Sequence, residues 1–101
     1  MITRIVKMTF RSEEAVNFEA LFHERSSLIS GFPGCKGVEL LKEESDSNSL
    51  TYFTRSIWID DASLQAYRSS ELFADTWKQT KAKFADKAEA WSTKIVESKF
   101  E

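Results

Sequence analysis

From Trp58 to Trp91 the chain runs without a glycine or a proline, and it carries all three tryptophans in that stretch. Phe73, Trp77, Phe84, Ala88 and Trp91 fall three, four or seven positions apart, the spacing that places side chains on one face of a helix. Each aromatic brings roughly 150–250 Å² to bury. A face that large demands a partner surface, and the remaining segments read as the strands of a sheet. A single helix from Asp61 to Ala90 would be about 45 Å long at about 1.5 Å per residue, more than a domain of this size can cover. A break is therefore expected near Ser69-Ser70, giving a short helix with Leu64 and Tyr67 and a longer one with the aromatic stripe.

The segments before this stretch have strand and helix patterns of their own. Ile2 to Phe10 alternates, with Ile2, Val6, Met8 and Phe10 on one side and Thr3, Ile5, Lys7 and Thr9 on the other, as a strand does. Arg11-Ser12-Glu13-Glu14 offers a cap and two acidic residues to the positive end of a helix dipole. The helix that follows, from about Glu13 to Ser30, has the stripe Ala15, Phe18, Leu21, Phe22, Leu28 and Ile29. It is expected to end on a left-handed Gly31, with Pro33 just beyond. Phe32-Pro33-Gly34-Cys35-Lys36-Gly37 reads as a tight connection into a strand from Val38 to about Lys42. The wholly polar run Glu43 to Ser49 reads as a hairpin loop.

Leu50 to about Ile59 reads as a third strand, apolar on both faces: Phe53, Ile57 and Ile59 on one, Leu50, Tyr52 and Trp58 on the other. A sheet covered on one side only would alternate more cleanly, so both faces are expected to be buried. Asp60 or Asp61 caps the next helix. Ile95, Val96 and Phe100, with charged residues between them, read as a last strand from about Ser92 to Phe100. The order strand, helix, strand, strand, helix, strand folds most simply as an α+β ferredoxin-like four-stranded antiparallel sheet with its helices on one face. Pairing two such sheets, as a dimeric α+β barrel, would cover the second face. A single domain over residues 1–101 follows, because the chain is one domain's worth of length with no internal linker or repeat.

A net charge of −2 gives no basic field for nucleic acid. No apolar run approaches the ~20 residues of a membrane span, and the first residues are too short and too alternating for a signal peptide. Together with a lone cysteine, Cys35, which can form no internal disulfide, this leads us to expect a cytoplasmic protein.

Phe32-Pro33-Gly34-Cys35-Lys36-Gly37 leading into a strand, a strand ending in Trp58 before acidic residues, and Tyr67-Arg68-Ser69-Ser70-Glu71-Leu72-Phe73 in the following helix together resemble the antibiotic biosynthesis monooxygenase family. The resemblance covers nearly the whole chain. It implies a homodimeric barrel and a cleft between sheet and helices in which oxygenases of the family bind an electron-rich aromatic, help deprotonate it and let the anion meet dioxygen. It implies no metal and no cofactor. The implied function is a cofactor-independent monooxygenase acting on a small aromatic or quinol-like molecule. The competing expectation is a dimeric barrel that holds a metabolite without turning it over, or serves a stress-related role.

The haem-degrading branch of the family carries Asn, Trp and His where this chain has Lys7, Tyr67 and Trp77, and Trp cannot ligate iron. Many other members carry a His beside the position of Tyr67, and here it is Arg68, which removes the obvious general base near neutral pH. Tyr67 is then the catalytic candidate, its hydroxyl set to bond a phenolate or carbonyl oxygen. Trp77, Arg68, Lys7, Trp58 and Phe73 are the substrate-binding candidates. Arg55 is a further cation able to orient an anionic oxygen. Each has a plainer reading: Trp77 as core filling, the arginines as solvated or paired with Glu71 or Asp61, Lys7 as a surface lysine. His23 reads as a partly exposed structural residue, and Cys35 as a small residue at a turn.

Overall fold

A computed structural model describes residues 1–45 and 47–100. Four strands, β1 (Ile2–Thr9), β2 (Cys35–Lys42), β3 (Thr51–Trp58) and β4 (Glu89–Thr93), and three helices, α1 (Ala15–Ser30), α2 (Asp61–Arg68) and α3 (Glu71–Lys81), appear in the order βαββααβ. The sheet is antiparallel throughout, in the order β2-β3-β1-β4, so the crossover through α1 steps over β3. This is the ferredoxin-like α+β arrangement expected from the order of the segments.

Alternation decides which residues the helices cover. Met8 pairs with Tyr52, and Val6 stands between Thr54 and Ala90, so the even-numbered residues of β1, β3 and β4 face the helices. At one end the core is aromatic: Phe10, fully buried, stacks on Phe18 of α1 at 4.2 Å and meets Tyr52 and Phe84 edge-on or tilted at 5.6 and 5.5 Å. Such offset and edge contacts add about 0.5–1.5 kcal/mol per pair beyond area burial. The opposite face carries Ile5 between Arg55 and Trp91, and Phe53 between Lys7 and Leu41. Leu41 and Trp91 are each 45% exposed there.

The break between the two later helices lies where expected. Ser70 accepts from the Phe73 amide and caps α3, as Asp60 accepts from Ser63 and caps α2. The aromatic stripe, however, is not one helix. Helix α3 ends at Lys81; Phe84 leaves it to bridge Phe10, and the Ala85 amide bonds Thr9 O at 2.9 Å. Arg11 locks this exit by donating to Ala82 O and Phe84 O. The chain must turn here because β4 has to run back along β1, and this puts Trp91 on the sheet rather than on the stripe.

The last strand consequently lies earlier than the apolar residues Ile95, Val96 and Phe100 suggest. Thr93 already pairs with Thr3, so a strand starting at Ser92 would run off the end of β1. Val96 and Phe100 are 96% and 92% exposed. Three local expectations also fail. Helix α1 starts at Ala15, and Glu14 at its N-cap makes no side-chain bond to a helix amide, its carboxylate accepting from Asn17 Nδ2 instead, while the Ser12 hydroxyl turns to Glu13. Leu28 points to solvent. Gly31 is right-handed, at φ −84°, since Phe32 N bonds Ile29 O and tightens the helix end. Positive φ falls instead on Gly37 and on Gly34, the latter at φ +86°, where a Cβ would clash with the Ser63 side chain. That close approach brings the start of β2 against α2, and Ile59 N bonds Gly34 O. The β2–β3 hairpin is closed by Glu43 N donating to Thr51 O. Asp46, within that hairpin loop, lies outside the described residues.

Candidate functional site

Between the sheet and the helices lies a cavity of about 280 Å³. Its floor is the helix-facing side of the strands, including Arg4, Val6, Thr54, Ser56 and Ala90. Its roof is built by Leu64, Tyr67 and Arg68 of α2, and by Phe73, Thr76, Trp77 and Thr80 of α3. The wall is predominantly apolar, the usual character of a small-molecule site.

The aromatic residues form a connected wall. Trp77 stacks on Phe73 at 5.9 Å, Phe73 meets the Tyr67 ring edge-on at 5.3 Å, and Tyr67 stacks on Trp58 at 5.0 Å. Phe32 closes the group from the β2 approach, edge-on to both Trp58 and Tyr67. Trp58 is fully buried and does not line the cavity. It stands behind the wall, giving Tyr67 its stacking surface and donating from Nε1 to Ser56 Oγ at 2.9 Å. On the other side, Arg25 of α1 reaches α3, bonding Thr76 Oγ1 at 2.9 Å and pairing with Asp75 at 2.8 Å.

No described residue hydrogen-bonds the Tyr67 hydroxyl. Burial, with a smaller contribution from the nearby Cys35, pushes its pKa up to about 12. Tyr67 is therefore neutral near pH 7, and its hydroxyl is able to donate a hydrogen bond. Cys35 is half-buried, its thiol likewise raised by burial, and Sγ is 3.6 Å from Gly37 O. The only other tyrosine, Tyr52, is also raised to about 12, by burial first and then by its hydrogen bond to Glu19.

A spectrophotometric titration of the folded protein should consequently show almost no tyrosinate near pH 10, and both rings should ionise toward pH 12. Unfolded chains ionise near pH 10. The two tyrosines' contribution to stability is thus intact below pH 10 and lost as pH rises toward 12. A normal tyrosinate signal at pH 10 in folded protein would contradict the burial of both rings.

Of the residues singled out from sequence, Tyr67, Arg68, Phe73 and Trp77 line the cavity. Lys7 does not: it stands on the opposite face, between Phe53 and Glu89. Arg55 is on that face too, paired with Glu39 at 3.0 Å. Arg68 forms no ion pair with Glu71 or Asp61; its guanidinium donates to Gln65 Oε1 at 3.4 Å. His23 is exposed on α1, away from the cavity. Sequence reading missed Arg4, Thr54, Ser56, Thr76 and Thr80. The signal for Arg4 was present, since it falls in the same alternating register as Ile2, Val6 and Met8.

Solved structures with this fold cover nearly the whole chain. A crystal structure of an antibiotic biosynthesis monooxygenase superposes with a TM-score of 0.85 at 18% identity, over 96% of this chain and 100% of the other. SnoaB, a cofactor-independent oxygenase from Streptomyces nogalater, gives 0.84 at 16% identity over 96% and 94%. A conserved protein from Methanosarcina mazei Go1 gives 0.83 at 17% identity over 92% and 91%. At these identities the likeness is one of fold. No curated protein sequence matches the chain. The family model for antibiotic biosynthesis monooxygenase matches residues 1–79, a span from β1 to α3 that includes most of the cavity wall. The chain belongs to the antibiotic biosynthesis monooxygenase family.

Proposed function

We propose that the protein is a cofactor-independent monooxygenase acting with dioxygen on a small aromatic or quinol-like substrate held in the cavity between sheet and helices. The observation that carries this reading is the joined wall of Trp77, Phe73 and Tyr67, with a free phenolic donor at its edge. A flat ring packs against the aromatic wall, and the Tyr67 hydroxyl donates to the oxygen on which negative charge gathers. With an anthrone-type substrate, a ring CH₂ becomes a carbonyl. The substrate supplies the four electrons that reduce O₂, one oxygen atom enters the product and the other leaves as water.

A second reading, binding without turnover, is favoured by one feature: among the described residues the cavity wall has no carboxylate, histidine or lysine to act as base. An oxygen electrode separates the two. Uptake that depends on a hydroquinone or anthrone, and falls about ten- to a hundredfold in Tyr67→Phe, supports the oxygenase. Binding of the same compounds with no uptake supports the second reading.

The working unit in this reading is a homodimer in the cytoplasm. The sheet face that carries Ile5, Phe53, Ile57, Leu41 and Trp91 is covered by a second copy, and the exposed Phe100 packs across the pair. Sedimentation at micromolar concentration should give a dimer. A stable monomer would remove this part of the proposal.

A further inference from the structure

The chain has five arginines, and the described structure divides them sharply. Arg11 pairs with Glu13 and Glu14, Arg25 with Glu24 and Asp75, and Arg55 with Glu39. Arg4 and Arg68 have no carboxylate within ion-pair distance among the described residues, and these are the two that line the cavity. They reach it from opposite layers, Arg4 from β1 in the floor and Arg68 from α2 in the roof. Each is steadied by a neutral neighbour: Arg4 donates to Ser92 Oγ at 3.0 Å, and Arg68 to Gln65 Oε1 at 3.4 Å. A guanidinium has five N–H donors, so most of each fork is left for other partners.

Two like charges at one apolar cavity repel, and the Arg4 pKa is lowered by burial and then by the charge of Arg68. Asp61, at the start of α2, opposes this only in part, and its carboxylate already accepts from Gln65. An anion placed between the two guanidinium groups would relieve the repulsion and gain charge-assisted hydrogen bonds from both.

We infer that Arg4 and Arg68 together form an oxyanion subsite, so that the ligand is an aromatic ring carrying an ionised oxygen, either a carboxylate or an acidic phenolate. This inference rests on the cavity being the ligand site and deepens the reading above. It also addresses the missing base. Where the ionised oxygen is the reacting phenolate, the two positive charges lower the pKa of the bound hydroxyl, and the proton goes to water.

The test is calorimetric titration of the purified protein with three matched compounds: 2-naphthoate, its uncharged counterpart 2-naphthamide, and an electron-poor naphthol that is ionised at neutral pH. At least one of the two anions should bind about tenfold or more tightly than the amide. That preference should disappear in Arg4→Gln/Arg68→Gln, the anions falling to about the affinity of the amide for the same variant. The single variant Arg68→Gln, at an exposed position, keeps the test independent of folding and should lose a substantial part of the preference. Which anion is preferred identifies the carboxylate or the phenolate as the source of charge. An amide that binds as well as both anions, a preference that survives the double variant, or no binding by any of the three would overturn the inference. Binding is read without oxygen, so absent oxygen uptake would remove the oxygenase reading alone, and absent anion preference would remove the subsite alone.

Discussion

Trp58→Ala should cost about 3–5 kcal/mol of folding free energy. That is a large share of the roughly 5–15 kcal/mol that holds a domain of this kind together. Trp58 is among the largest fully buried side chains, and removing it leaves a void behind both the α2 roof and the strand floor. At about 4–8 °C per kcal/mol for a domain near this length, the melting temperature should fall by at least roughly 12 °C. Thermal denaturation followed by circular dichroism checks this. The change also strips Tyr67 of its stacking partner and leaves Ser56 without its donor, so ligand affinity measured below the melting transition should fall as well. Trp58→Phe keeps the ring against Tyr67 and loses the bond to Ser56, and should be the milder of the two. An alanine variant as stable as the parent would mean that the wall does not depend on Trp58.

The second large effect is expected from closing the cavity. Thr54 stands at the middle of its floor, paired with Val6 on one side and Leu40 on the other, its side chain facing the helices. A phenylalanine suits a strand and, at this position, fills part of the cavity that Phe73 and Trp77 also line. Overpacking costs about 1–3 kcal/mol, which leaves a folded protein. Aromatic ligands should nevertheless bind at least about a hundredfold more weakly, because the only way to seat them is to expel the new ring. Titration of Thr54→Phe with 2-naphthoate, alongside a melting curve showing that it is folded, makes the comparison. Unchanged affinity would place the ligand somewhere other than this cavity.

The sequence carried the fold further than it carried the site. Alternation in β1 and β3, a cap at Asp60 or Asp61 and a break near Ser69-Ser70 are local signals, each enforced by a hydrogen bond or a register, and each held, with Asp60 and Ser70 as the capping residues. The end of the aromatic stripe was not legible, because Phe84 keeps the helical spacing of Phe73 and Trp77 while its position is set by Phe10, far away in the chain. The position of β4 was hidden for a similar reason: its extent depends on how much of β1 remains to pair with, whereas Ile95, Val96 and Phe100 merely look like strand residues.

In the site, the aromatic lining could be read because large rings at helical spacing must meet something. Lys7 and Arg4 show where the reading slipped. Both are cations on β1, three residues apart, and so on opposite faces of the sheet. Lys7 drew attention on the mixed face, which turned out to be the side away from the helices. Arg4 shares the inward register of β1 with Ile2, Val6 and Met8, and although Ser56 and Ser92 stand across from it, a charge on that face has to be explained.

The most direct test of the account is oxygen consumption by the wild-type protein and by Thr54→Phe, side by side, on an anthrone or hydroquinone substrate. We expect uptake that depends on substrate in the wild type and falls to the uncatalysed rate in the folded variant, as required if the ring must sit in the cavity to meet oxygen. Equal uptake by both proteins would put the chemistry outside the cavity, and no uptake by either across the substrate panel would contradict the oxygenase reading itself.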